Sequence, residues 1–176
     1  MLSAYDIEYE KLFALGYRGV IYDVDNTLVP HGAPADDRAK AHFKRMKEIG
    51  FRCCFLSNNG EERVKSFNDE VDECYIFRAG KPDPKGYRAA MKKLGTTTRN
   101  TIFVGDQIFT DILGANRAGI RNYMVKYIDP YEEIQIIVKR QLEKVVLFFY
   151  FLKHPKMKKA AKRPKGEKIR IYPRNW

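Results

Sequence analysis

The chain has 176 residues, of which 44% are hydrophobic and 31% charged, the make-up of one ordinary globular domain with an appendage and not of a disordered chain. No apolar run approaches the roughly 20 residues that a spanning helix requires, and the opening MLSAYDIEYE has neither the basic nor the apolar region of a signal peptide. The net charge of +11 is lopsided: residues 153–176 hold ten Lys/Arg and one Glu (10 − 1 = +9), leaving +2 for the first 152 residues.

In chain order, RGVIYDVD (18–25) reads as a first strand, rich in β-formers and ending in two acids. Asp36 to Ile49 reads as a helix, with Ala39, Phe43 and Met46 on one face and Gly50 closing it. FRCCFLS (51–57) is a second strand, Gly60 to Asn68 a short helix, and CYIF (74–77) a third strand. The next helix is DPKGYRAAMKKLG (83–95), with Asp83 at the N-cap, Pro84 in the first turn and Gly95 past the end. TIFVG (101–105) is a fourth strand, Thr110 to Ala118 a helix stopped by Gly119, and RNYMVKY (121–127) a fifth strand. Strands alternating with crossover helices predict a doubly wound parallel α/β sheet of about five strands in three layers. Cys53, Cys54 and Cys74 have no C-x-x-C spacing and no neighbouring histidines, so reduced thiols and a cytoplasmic setting are expected. His31 and His42 are expected in surface or structural roles, with His31 in the loop near the site.

Sites in such sheets lie beyond the carboxyl ends of the strands. Polar residues cluster there: Asp23, Asp25, Asn26 and Thr27 after the first strand, Ser57, Asn58 and Asn59 after the second, Gly80 and Lys81 after the third, Asp106 and Asp111 after the fourth. Four carboxylates in one crevice need a counter-ion. Magnesium suits carboxylate oxygens, while a lysine and a hydroxyl suit a phosphate dianion. A Walker A loop ending at Lys81 is excluded by Tyr75 and Pro82, and no G-x-G-x-x-G occurs. The simplest chemistry makes Asp23 the nucleophile, forming an aspartyl-phosphate, and Asp25 the proton shuttle. Magnesium bridges Asp23, the phosphate and Asp106. Ser57, Asn58 with the amides beside it, and Lys81 hold the phosphate. Asp111 orients Lys81 or a metal-bound water.

The four pieces DVDNTL, FLSNN, GKPDP and GDQIFTD resemble, in order, the motifs of the haloacid dehalogenase-like phosphohydrolases, over residues 18–126. The resemblance implies a Rossmann-like fold, Mg2+ dependence with Asp23, Asp25 and Asp106 as the metal set, and a phosphatase, since the second acid Asp25 fits phosphatases and not dehalogenases. Family cap domains are inserted after the first motif or between the second and third. Here 31 residues separate Asp25 from Ser57 and 23 separate Ser57 from Lys81, too few for a cap. An open site suits bulky substrates, and YDVDNTLVP with GKPDP and GDQIFTD is most similar to the capless subfamily IIIA, which includes phosphatidylglycerophosphate phosphatases.

The predicted organisation is a catalytic domain over 1–128, an amphipathic helix over 129–152 and a basic tail over 153–176. VVLFFYFL (145–152) runs directly into KHPKMKKAAKRPKGEK, a pattern suited to an interface with anionic lipid. A core-packing helix with a solvated end is the alternative, and RNA or DNA a third partner. The expected function is a Mg2+-dependent phosphomonoester hydrolase acting on phosphatidylglycerophosphate, cytoplasmic with peripheral membrane contact. A polynucleotide 3′-phosphatase and a non-catalytic membrane- or RNA-binding protein of the same fold are its rivals.

Overall fold

The computed structural model describes residues 3–129 together with the single positions 146, 148 and 152. Five parallel strands form one sheet in the order β3-β2-β1-β4-β5: β1 Gly19–Tyr22, β2 Arg52–Leu56, β3 Cys74–Ile76, β4 Thr101–Gly105 and β5 Arg121–Met124. The chain builds outward from β1 to β3, then crosses back to β4 and β5. The topological switch point therefore falls between β1 and β4.

Alternation along the strands divides the core. Val20, Tyr22, Cys53, Phe55, Ile102 and Val104 face one layer of helices, α1 (Tyr9–Ala14), α2 (Asp37–Ile49) and α3 (Glu61–Asn68), which contribute Tyr9, Leu12, Phe43, Met46 and Phe67. Ile21, Cys54, Leu56 and Phe103 face the other, α4 (Pro84–Leu94) and α5 (Leu113–Arg117), through Tyr87, Ala90, Leu94 and Ala115. All three cysteines are unpaired, and Cys53 and Cys54 are buried.

The caps explain why the helices start and stop where they do. The Asp36 side chain accepts from Ala39 N at 2.7 Å, and Asp83 accepts from Lys85 N at 2.8 Å with Pro84 at the first position. Gly50 ends α2 at φ 99°, a left-handed conformation costly for a residue with a side chain, and its N–H bonds Met46 O and Lys47 O.

Two elements differ from expectation. The N-terminal residues form a 3-10 turn (Ala4–Asp6) and α1, neither of which the hydrophobic period predicts. Six residues are too few to hold a helix alone. Burial of Tyr9 and Leu12, with Tyr9 Oη donating to Ala4 O at 2.9 Å, does so instead. The helix expected over 110–118 opens with a π turn (Ile108–Ile112), in which Ile112 N bonds Gln107 O at 3.1 Å. Of the predicted 129–152 helix, Asp129 is not helical, Val146, Phe148 and Leu152 are helical and exposed, and the rest lies outside the described residues with the 153–176 tail. Among the described residues no helix is long and apolar enough to cross a membrane.

Candidate active site

Asp23 follows β1 directly and keeps the ladder going for one bond, its N–H donating to Val104 O at 2.9 Å. Asp106 follows β4, so the switch point sets these two acids side by side. Lys81, on the loop after β3, reaches between Asp23 and Asp111: its Nζ lies 2.5 Å from Asp23 Oδ1 and 2.7 Å from Asp111 Oδ1. The Thr27 hydroxyl sits between the other oxygens, 3.2 Å from Asp23 Oδ2 and 3.1 Å from Asp106 Oδ1. All five side chains are buried.

Asp111 is fully engaged. Its Oδ1 takes Lys81, and its Oδ2 accepts from the amides of Asp106 at 3.1 Å and Gln107 at 3.0 Å. Asp111 lies in the π turn that starts just after these amides, with Ile112 N bonding Gln107 O at 3.1 Å. Gly105 leaves the room: a Cβ there would sit 2.6 Å from Asp111 Oδ2. Tyr87 Oη anchors the same turn by donating to Thr110 O (3.1 Å) and Asp111 O (3.0 Å).

Burial pushes the Asp23 carboxyl well above its ordinary range, opposed by Lys81 and reinforced by Asp111 and Asp106. For Lys81, burial disfavours the ammonium, but Asp111 and Asp23 outweigh it and hold the amine charged above its usual range. At these distances the physical state is a charge-assisted network with Lys81 protonated. Lys81 supplies one ammonium to a cluster of three buried carboxylates. Oxygens of Asp23, Asp106 and Asp111 all lie within 4.8 Å of one another. An all-oxygen donor set fits a hard divalent cation.

The expected metal set names Asp25, yet its carboxylate lies outside that cluster. Its Oδ1 accepts from Gly32 N (2.8 Å) and from Arg63 Nε (3.1 Å) and Nη2 (2.8 Å), and its Oδ2 accepts from Asn59 Nδ2 (2.7 Å). His31 Nδ1 is 3.9 Å from Asp25 Oδ1. Asn58 arrives at the site with its side chain already committed: Oδ1 accepts from Lys81 N at 2.7 Å and Nδ2 donates to Lys81 O at 3.1 Å. Ser57 is buried, and its Oγ accepts from Asn59 N at 3.1 Å. His42 proves structural, buried among Tyr5, Tyr9, Tyr22 and Phe43 with Tyr22 Oη 3.0 Å from its Nε2.

Arg63, Tyr87 and Gln107 complete the site without having been singled out by sequence, and Thr27, named among the polar residues after the first strand, had been given no role. Thr27 had a signal, four residues after Asp23 in DVDNT; the others were legible only once the chain was folded. Asn26, at φ 61°, ties the site loop to the far end of the domain, accepting from Ile128 N at 3.1 Å through its carbonyl and from Asp129 N at 3.0 Å through Oδ1.

Residues 31–119 match the sequence model of the haloacid dehalogenase-like hydrolases. The chain is 34% identical to the probable phosphatase YqeG of Bacillus subtilis over 146 residues, covering 82% of this chain and 85% of that one. It is 29% identical over 153 residues to phosphatidylglycerophosphate phosphatase 1 of Arabidopsis thaliana, covering 80% of this chain but only 44% of the plant protein. Among solved structures, the cobalt-bound deoxy-D-mannose-octulosonate 8-phosphate phosphatase of Haemophilus influenzae aligns with a TM-score of 0.52 at 17% identity, covering 61% of this chain and 68% of that one, which speaks to the fold. The chain belongs to the haloacid dehalogenase-like hydrolase family, as one of its phosphatases.

Proposed function

We propose that the protein hydrolyses phosphomonoesters through a phosphoryl group carried on Asp23. The observation that carries the reading is the pairing of Lys81 Nζ with Asp23 Oδ1 at 2.5 Å inside a buried cluster that also holds Asp106 and Asp111. Lys81 and Thr27 offset the burial that disfavours an ionised Asp23. The Asp23 carboxylate attacks phosphorus, the bond to the leaving oxygen breaks, and Asp25 protonates that oxygen. In the second half Asp25 takes a proton from water as the water attacks phosphorus, releasing phosphate and Asp23. Ser57, the amides beside Asn58, and Lys81 receive the phosphoryl oxygens, and Asn58 fixes the Lys81 main chain.

Mg2+ would be held by the carboxylates of Asp23 and Asp106, and would supply charge neutralisation for nucleophile and phosphate. The Asp25 side chain, engaged by Arg63 and Asn59, stands outside this carboxylate cluster. Asp111, saturated by Lys81 and two amides, orients the lysine.

For the substrate we favour a lipid phosphomonoester of the phosphatidylglycerophosphate type. The Arabidopsis relative carries that activity in its name. The gaps after Asp25 and Ser57 hold only α2, α3, β3 and their loops, so no cap closes the site among the described residues. The apolar run 145–152 and the +9 tail then bring the domain to an anionic membrane surface. Asp23→Asn should abolish turnover of 4-nitrophenyl phosphate with Mg2+ present; retained turnover refutes the assignment. Rates on phosphatidylglycerophosphate and on 3′-phosphorylated DNA separate the lipid reading from a polynucleotide phosphatase.

A further inference from the structure

We propose that Arg63 is the positioning residue of Asp25 and selects the one carboxylate oxygen through which the proton moves; the inference rests on the phosphomonoester reading above. A carboxylate oxygen offers about two lone-pair directions. Asp25 Oδ1 already receives three donors, Gly32 N at 2.8 Å, Arg63 Nη2 at 2.8 Å and Arg63 Nε at 3.1 Å. Oδ2 receives Asn59 Nδ2 alone, at 2.7 Å. The saturated oxygen has no room for a proton, whereas Oδ2 keeps one lone pair for it.

The guanidinium is well suited to this fixing. It is a planar fork, and both nitrogens of one edge meet the same oxygen, which sets the tilt of the carboxylate as well as its place. Its third nitrogen, Nη1, is buried with no hydrogen-bond partner among the described residues, so no other acceptor there competes for the group. The side chains of Arg63 and Asp25 are 17% and 12% exposed, shielded enough for the pair to hold its geometry. Arg63 lies in the first turn of α3, directly after the loop carrying Ser57 to Asn59. One segment thus sets both the phosphate-binding hydroxyl and the proton donor.

In the first half-reaction the electron pair of the breaking P–O bond stays on the leaving oxygen, which takes the proton from Asp25 Oδ2. In the second, Oδ2 accepts a proton from the attacking water and returns to its starting state. A substrate that leaves as an alkoxide needs that proton; an aryloxide leaves nearly as well without it.

The test is kcat/KM of full-length wild type, Arg63→Gln and Arg63→Lys on two phosphates, glycerol phosphate and 4-nitrophenyl phosphate. This parameter covers steps only through departure of the leaving group. The ratio of the two values is independent of how much of a variant is folded. Arg63→Gln should lower the glycerol phosphate value about 100-fold and the aryl value less than about 5-fold, as general-acid loss does. Arg63→Lys, which restores the charge without the fork, should fall between. Equal losses on both substrates, or none on either, would overturn the positioning role while leaving the hydrolase reading intact. A wild type inert on both, and on the lipid, would remove that reading instead.

Discussion

Lys81→Met keeps the length and bulk of the side chain and deletes its charge. The lysine side chain is 4% exposed, and its partners Asp23 and Asp111 are 9% and 1% exposed. Two short ion pairs vanish together, leaving Asp23 and Asp111 without the ammonium they share. Breaking a buried pair by removing one partner costs about 3–5 kcal/mol, out of a total of about 5–15 kcal/mol. For a chain of this size each kcal/mol moves the midpoint by about 2–4 °C, so differential scanning calorimetry should show a Tm lower by about 6–20 °C. The variant loses one positive charge beside the carboxylate cluster, so saturating Mg2+ should raise Tm more in the variant than in the wild type. A drop under about 2 °C, or an equal Mg2+ response in both proteins, would refute the electrostatic reasoning.

Gly105→Ala places a Cβ 2.6 Å from Asp111 Oδ2 and 2.7 Å from Phe103 Cε1, so it should cost about 1–3 kcal/mol in urea unfolding and lower phosphatase activity by displacing Asp111. Thr27→Val removes the hydroxyl shared by Asp23 and Asp106, and the Mg2+ concentration for half-maximal activity should rise about 10-fold; an unchanged value would show that the hydroxyl does not support the metal ligands. Burial, aided by Arg45 and Arg38, lowers His42 from 6.5 to about 4. Between those values the unfolded chain binds a proton that the native state refuses, so this stability is whole above pH 6.5 and is lost as pH falls toward 4. The loss amounts to about 3 kcal/mol, and urea melts of wild type and His42→Leu at pH 7 and 4.5 should show the steeper decline in the wild type.

Much of this site could be read from the chain because its residues sit at strand ends, where the short apolar runs stop. Asp23, Ser57, Lys81 and Asp106 each follow a strand, and the parallel topology brings strand ends together whatever the loops do. The partners of Asp25 were hidden for a different reason. Arg63 lies 38 residues away on a helix whose charged face looks like any solvated surface, and only the fold turns it toward the acid. Asn58 was legible as a site-loop residue, but its bonding to the Lys81 main chain depends on how two loops meet. The π turn likewise leaves no trace in hydrophobic spacing, since it is fixed by the bonds Asp111 makes to Asp106 and Gln107. Helix α1 escaped notice because its stability comes from the core beneath it and not from its six residues.

The most direct trial of the chemistry is to catch the phosphoryl group on its acceptor. The Asp25→Asn variant, in which attack by water is slowed, can be mixed with an aryl phosphate and Mg2+, quenched in acid and digested for mass spectrometry. The phosphoryl mass should appear on the peptide containing Asp23 and be absent from the same peptide of the Asp23→Asn protein. Steady hydrolysis by wild-type protein with no phosphorylated Asp23 at any quench time, or a phosphoryl group found on another residue, would contradict the account.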